Sequence, residues 1–190
     1  MIFAYNKEYV SDTLLAITAD DKGLEQTVER KGNVAQIKNE EGTIVGWNFF
    51  AISEVMTIEG RGQVTLTKEQ IQQLNTMIKE AGFSEELPAD TEPKIVVGYV
   101  KSCVEHPDSD HLSITETEVG DGEVLQIVCG AANIRKGLKV VVAKPGAMMP
   151  DGLMIWPGTL RGVESFGMIC SAKELHLEGA PMKKGILELP

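Results

Sequence analysis

A run of residues near the end of the chain, 160–175, combines side chains that bind phosphate and ribose. The chemically useful groups are those of Arg161, Ser165, Ser171 and Lys173. A guanidinium can form two parallel hydrogen bonds to phosphate, an ammonium acts as a point charge, and hydroxyl groups bind phosphate or sugar oxygens. The spacing predicts a strand, a tight turn, a second strand and the first turn of a short helix, which would gather these groups at one rim. A glycine-rich turn with a capped helix and no ligand is the alternative interpretation.

A second polar group has some features of a metal site. It consists of Cys103, His106, Asp108, Asp110 and His111. Structural zinc takes four tetrahedral ligands, normally from two well-spaced pairs of cysteines or histidines. The remaining cysteines and His176 supply no second pair. We therefore predict a loop between two strands, with its turn fixed by Pro107, and neither a metal nor another cofactor.

The sequence offers little for catalysis. His106, His111 and His176 have the side chain of a general base, but no serine or cysteine lies in a G-x-S-x-G nucleophile pattern. The glycine patterns of phosphate-binding and dinucleotide-binding loops are also missing from the sequence. We predict a protein that is not an enzyme.

The elements that must position these groups differ between the two halves of the chain. Residues 1–83 are predicted to form a small α+β domain, with strands at 2–5, 13–18, 26–30, 34–38 and 43–50. A capping-box pattern at Thr67 and Gln70 begins a helix that ends at Gly82. Residues 84–93 contain two prolines and four acidic residues and are predicted to be a linker.

Residues 94–190 change to short strands separated by glycine-rich turns. The strands are predicted at 95–100, 112–119, 124–128, 139–143, 153–155 and 159–163. Several short strands with one helical insertion are typical of a small closed barrel. The predicted fold class is therefore two domains, an N-terminal α+β domain followed by an all-β OB-fold barrel.

The charge of the chain is unevenly distributed. The net charge is −10 at pH 7, which argues against a nucleic-acid partner for the chain as a whole. Residues 1–93 carry 8 basic and 16 acidic side chains, whereas residues 124–190 carry 8 basic and 5 acidic ones. A polyanion site is therefore expected only in the last third.

Several features favour a cytoplasmic protein. The three cysteines are an odd number and lie in apolar or turn contexts, which suits a reducing compartment. The first residues lack the basic and apolar segments of a secretory signal. No run reaches the roughly 20 apolar residues of a membrane span.

Several strings of the second half occur in the same order in one known domain. They are Val97-Gly98, EHPDSDHL at 105–112, LQIVCGAANI at 125–134, Pro145-Gly146-Ala147 and the run 160–175. The region resembles the tRNA-binding domain of endothelial monocyte-activating polypeptide II, of bacterial phenylalanyl-tRNA synthetase β subunits and of some methionyl-tRNA synthetases. The two-domain layout is similar to standalone bacterial tRNA-binding proteins with an extra N-terminal domain.

The resemblance implies a five-stranded OB barrel that binds tRNA by shape and backbone contacts. Carried over residue by residue, it implies RNA contacts from Arg161, Lys144, Lys173, Ser165, Ser171 and Asn133. Asn133 has a rival role as the cap of a short helix starting at Ile134.

The chain departs from the family pattern in the loop after His106 and at Phe166. Asp108, Ser109 and His111 stand where Asn, Ala and a basic residue are usual, which removes positive charge and lowers the expected affinity. Phe166 stands where a charged or amide residue is frequent. An unstacked base on its ring would gain about 1–3 kcal/mol; the alternative is a ring folded onto the barrel.

Two other functions stay open at this point. One is a protein-interaction module that docks to a synthetase, a ribosomal partner or another translation factor through the acidic N-terminal domain. The other is a general single-stranded nucleic-acid protein. The sequence leaves open the preferred tRNA, the role of residues 1–83 and the oligomeric state, a homo-oligomer included.

Overall fold

The computed structural model describes residues 1–89, 92–179 and 184–190. The chain forms two compact units, Met1–Glu92 and Pro93–Pro190. The first unit combines a sheet with a helix and the second is built from strands, so the predicted fold class is confirmed.

The N-terminal unit is an antiparallel sheet with one long helix. Its elements are β1 (Ile2–Tyr5), α1 (Lys7–Val10), β2 (Thr13–Ile17), β3 (Gln26–Lys31), β4 (Val34–Asn39), β5 (Ile44–Phe50), a short 3-10 helix (Ile52–Glu54), β6 (Gly62–Val64) and α2 (Lys68–Glu80). The strand order is β3-β4-β5-β2-β1-β6. The predicted strands and the β4–β5 hairpin are confirmed, whereas α1 and β6 are too short to show a period in the sequence.

Helix α2 begins with the predicted capping box. The Gln70 backbone N–H donates to Thr67 Oγ1 at 3.2 Å, and the Thr67 N–H donates to Gln70 Oε1 at 2.9 Å. The apolar stripe of α2, formed by Ile71, Leu74 and Ile78, is buried in the same cluster as the sheet residues Trp47 and Phe49. Burial of this stripe holds the helix to the sheet.

The first part of the predicted linker packs onto the N-terminal unit. Leu87 is buried in its core, its N–H donates to Asn75 Oδ1 at 2.7 Å, and its carbonyl accepts from Asn75 Nδ2 at 3.0 Å. Asp90 and Thr91 of the predicted linker lie outside the described residues.

The C-terminal unit consists of an antiparallel sheet and a two-stranded ribbon. Its strands are β7 (Ile95–Glu105), β8 (Ser113–Glu118), β9 (Val124–Cys129), β10 (Lys139–Ala143), β11 (Gly158–Leu160), β12 (Val163–Ser165), β13 (Met168–Ile169) and β14 (Glu188–Leu189). The sheet order is β13-β10-β7-β8-β9, with β14 beside β10, and β11–β12 form a separate ribbon. Among the described residues no ladder joins β9 to β13, so the sheet is an OB-like barrel with an open seam between these strands. The prediction that the barrel is closed is therefore wrong.

Two features of β7 allow the sheet to curl. Its pairing with β8 shifts register between Val100 and Ser102, and such an irregularity bends a strand. A Cβ atom at Gly98 would lie 2.7 Å from Val142 Cγ2, so only glycine lets β7 and β10 approach this closely.

Two strand predictions in this unit are wrong. Residues 153–155 form a loop with one isolated bridge between Met148 and Met154. Residues 159–163 are not one strand, because the chain reverses at Arg161 and Gly162 between β11 and β12. The backbone needed for this reversal has a positive φ at both positions, which strand propensity cannot show.

Candidate nucleic-acid interface

Arg161 lies at the tip of the β11–β12 hairpin. Its φ is 46° and that of Gly162 is 83°, the combination of a two-residue type I′ turn. The side chain is exposed, and its Nη1 donates to the carbonyl oxygen of Asp108 at 3.0 Å. In the described part of the chain no carboxylate forms an ion pair with this guanidinium, so its charge remains available to an anion.

His106 connects the loop between β7 and β8 to this hairpin. The ring is buried, and Nδ1 accepts the Asp108 N–H at 3.0 Å. Because Nδ1 accepts, the neutral ring carries its proton on Nε2, which then donates to the Leu160 carbonyl oxygen at 3.2 Å. The sequence shows this histidine as a candidate base or ligand and gives no sign of the contact with Leu160.

Ser165 lies inside the fold and bridges the seam. Its side chain is buried, and Oγ accepts the Val128 N–H of β9 at 3.0 Å. The neighbouring Glu164 carbonyl accepts from Gln126 Nε2 at 2.7 Å, and the Phe166 N–H donates to the Gln126 carbonyl at 2.8 Å. Residues 164–166 therefore tie β9 to the segment that leads into β13.

Asn133 holds the C-terminal strap, residues 184–190. Its Oδ1 accepts the Ile186 N–H at 3.0 Å, and its Nδ2 donates to the Ile186 carbonyl at 3.0 Å and to Glu188 Oε1 at 2.9 Å. Within the described residues no α-helix follows Ile134, whose N–H only closes a turn onto Ala131. The predicted short helix and its cap are therefore wrong, and the Asn133 amide is occupied by the strap.

Ser171 begins a helical turn that is not extended into a helix. Its Oγ and its N–H both donate to Glu174 Oε2 at 2.7 Å, and the Glu174 N–H donates to Ser171 Oγ at 3.2 Å. His176 has a φ of 49° and Leu177 bonds back to Ala172, an arrangement that ends a helix. The predicted first turn is present, but the chain leaves the helical path after it.

Lys173 and Lys144 have different surroundings. Lys173 is exposed on the Ser171 turn, and no carboxylate of the described residues pairs with it. Lys144 pairs with Glu123, and its side chain is only 15% exposed. Lys144 is therefore less available to RNA than Lys173.

The strand registers place these groups at two ends of the barrel. Lys144 follows β10, whose last residue pairs with the first residue of β7. His106 follows the opposite end of β7, and Asn133 follows the end of β9 that lies beside it. Arg161, Asn133, Ser171 and Lys173 thus share one end, which we call the strap end, and Lys144 lies at the other.

Phe166 follows β12 and is half-buried. It belongs to neither of the buried apolar clusters of the C-terminal unit among the described residues. Its ring is partly accessible, so stacking on a base remains the prediction.

The three cysteines are free thiols in different surroundings. Burial raises the pKa of the Cys129 thiol, and burial raises that of Cys170 to about 11. Cys103 is half-buried. No three histidine, cysteine or acidic side chains cluster as metal ligands in the described ranges, and none of the helices there is long and apolar enough to cross a membrane.

Comparisons with known proteins identify the family. A model described as "Putative tRNA binding domain" matches residues 95–190, and one described as "Domain of unknown function (DUF4479)" matches residues 21–90. The chain is 49% identical over 186 residues to the Bacillus subtilis "Putative tRNA-binding protein YtpR", with 97% of this chain and 92% of that protein covered.

Its second half is also similar to part of a synthetase subunit. It is 59% identical over 90 residues to the phenylalanine–tRNA ligase β subunit of Oceanobacillus iheyensis, which covers 47% of this chain and 11% of that subunit. The match to the same subunit of Sulfurimonas denitrificans is 56% over 96 residues, covering 50% and 12%. The resemblance seen in the sequence is confirmed, and the chain belongs to the tRNA-binding-domain family.

Proposed function

We propose that this protein binds tRNA without catalysis, through the strap end of its C-terminal barrel. Family membership supports the class of ligand. We choose this surface because it carries cationic side chains that form no ion pair among the described residues. By contrast, Lys101, Arg135 and Lys144 are each paired with a glutamate. Arg161 is held only by a backbone carbonyl, and Lys173 has no acidic partner among the described residues. Unpaired cations attract phosphate without first losing an ion pair.

The other proposed site residues divide into contacts and supports. Ser171 Oγ is at the surface and can still accept a 2′-hydroxyl, whereas its proton is used by Glu174. Ser165 and Asn133 are engaged inside the fold, and we propose that they position the seam and the strap. Lys144 would attract RNA only weakly, at the opposite end, and Phe166 remains a stacking candidate.

The proposed mode of recognition is backbone and shape readout. The last third has few cations, so the electrostatic part of the binding should be modest. An OB-like groove reads unstacked segments, and folded tRNA presents these at defined positions. No chemical step is needed, and His106, the buried histidine, has both ring nitrogens engaged in hydrogen bonds.

A binding titration with the full chain tests the proposal. We expect folded tRNA to bind more tightly than an unstructured oligomer or a duplex at equal salt, and Arg161→Ala with Lys173→Ala to remove most of the difference. Lys101→Ala is the matched control, because its ammonium is paired with Glu118. Equal affinity for all three nucleic acids would favour a general single-stranded binder, and no binding at all would reject the proposal.

We also propose a cytoplasmic location and a synthetase as a protein partner. The free state of all three thiols supports the compartment. The similarity to part of phenylalanine–tRNA ligase β subunits supports the partner. Co-purification with a synthetase that survives ribonuclease treatment would support a direct contact, whereas loss of the complex would leave tRNA as the only link.

A further inference from the structure

The open seam between β9 and β13 forms a cleft at the strap end. Its volume is about 370 Å³. Apolar residues from three segments contribute to its lining, among them Val128, Met168, Ile169 and Ile186. Its polar lining includes Ser171 and Glu174. Met168 is half-buried and the other three apolar residues are buried, whereas Glu174 is exposed, so the lining of the cleft is mixed, with apolar side chains beside an accessible carboxylate.

The Glu174 carboxylate presents one oxygen without a donor. Its Oε2 accepts both the N–H and the hydroxyl of Ser171 at 2.7 Å. Among the described residues no donor reaches Oε1. Glu174 and the buried Cys129 line the same cleft. The carboxylate therefore lies at the edge of the cleft and is fixed in place by Ser171.

This combination fits one nucleobase better than the others. A fixed carboxylate needs a ligand with N–H donors, and the apolar side chains of the lining can pack against a flat ring. Guanine carries two adjacent donors, N1–H and the N2 amino group, on its Watson–Crick edge. Adenine and cytosine place an acceptor beside their amino group, and uracil places a carbonyl on each side of its single N–H. An acceptor next to a carboxylate is repelled, so these three bases are disfavoured.

We propose that the seam cleft binds a single unstacked guanine of the RNA, with Glu174 accepting from its Watson–Crick edge. The proposal rests on the proposed function, since the guanine is part of the bound RNA. Lys173, one residue before Glu174, is exposed, and we expect it to contact a phosphate next to the inserted base. Backbone contacts would hold the strand, and the cleft would select the base.

The test uses the full chain and four nine-nucleotide RNAs that differ only at the central position. The flanking residues are uridines, and the central base is guanine, inosine, adenine or uracil. In fluorescence anisotropy titrations, the RNA with a central guanine should bind at least about fivefold more tightly than the RNA with a central uracil, since a good contact to a base edge gives at least this discrimination. Inosine lacks the N2 amino group and should lie between guanine and uracil.

Glu174→Gln is the decisive variant. A glutamine can still cap Ser171, so the turn should remain folded, but its amide N–H₂ would face a guanine donor. The preference for guanine over uracil should disappear, even if the loss of a negative charge shifts the affinity for all four RNAs together. Glu178→Gln removes the same charge four residues later, away from the cleft lining, and should retain the preference.

Three outcomes would overturn the inference. They are equal binding of the four RNAs, a guanine preference that survives Glu174→Gln, and a failure of all four RNAs to bind while folded tRNA binds. In each of these cases tRNA binding that depends on Arg161 leaves the proposed function standing. If folded tRNA does not bind either, the proposed function fails together with the cleft.

Discussion

His106 Nε2 lies 3.2 Å from the carbonyl oxygen of Leu160, the residue immediately before Arg161 in the hairpin turn. This contact joins a loop and a hairpin 54 positions apart in the sequence. It fixes the backbone from which the Arg161 side chain starts. A buried histidine thus positions the residue proposed as the main phosphate contact.

The first prediction concerns this histidine. His106→Ala should destabilise the C-terminal unit by about 1–3 kcal/mol, because the two part-buried hydrogen bonds between its ring and the backbone of Asp108 and Leu160 are lost. It should also weaken tRNA binding, although the cationic side chains are unchanged. His106→Gln, which can donate to Leu160, should recover part of the affinity. Thermal unfolding and anisotropy titrations measure both effects, and unchanged tRNA binding by His106→Ala would show that the hairpin is placed independently.

Asn133 provides a second prediction. Asn133→Ala removes the three hydrogen bonds to the strap and should cost roughly 2 kcal/mol or more of stability. The amide hydrogen of Ile186 should exchange faster with solvent. Arg135→Ala removes an exposed ion pair to the same strap and should cost less than about 1 kcal/mol. Similar losses of unfolding free energy for the two variants would contradict the role of Asn133 in holding the strap.

Alkaline pH should destabilise the C-terminal unit through Cys170. Burial raises the pKa of this thiol from its ordinary 9.0 to about 11. The unfolded chain therefore loses the proton first, and stability should fall as pH rises from about 9 to about 11. Cys170→Ala should make the free energy of unfolding in urea titrations less dependent on pH.

In thiol labelling, Cys103 should react first. Early reaction of Cys170 would show that this thiol is not protected by burial.

The acidic N-terminal unit should weaken RNA binding electrostatically. Residues 1–93 carry 8 basic and 16 acidic side chains, which raise the energy of a nearby polyanion. Residues 94–190 alone, which have their own apolar core, should bind tRNA more tightly than the full chain at low salt. The difference should shrink at high salt because the charges are screened. Equal or weaker binding by the isolated unit would count against this effect.

Local signals in the sequence predicted local structure well. The capping box at Thr67 and the hairpin β8–β9 depend on residues a few positions apart, so their patterns are readable. The role of Ser165 depends on Val128, 37 positions away, and that of Asn133 on Ile186, 53 positions away. The residue types of the site could be proposed from a family resemblance, but which cations are paired could only be learned from the fold.

The salt dependence of tRNA binding by Arg161→Ala is the most direct test of the proposed interface. Arg161 is proposed as a phosphate contact, so its loss should weaken binding to different tRNAs about equally. The slope of log affinity against log salt should fall in magnitude by roughly 0.7–0.9. Arg161→Lys should lose only part of the affinity, because lysine keeps the charge without the fork.

Lys144→Ala is the matched control in this measurement. Its ammonium is paired with Glu123 at the other end of the barrel, so its removal should change affinity and slope less than that of Arg161. We predict a slope of smaller magnitude for Arg161→Ala than for the wild type. The slope for Lys144→Ala should be close to that of the wild type. Unchanged affinity and slope for Arg161→Ala would contradict an RNA site at the strap end.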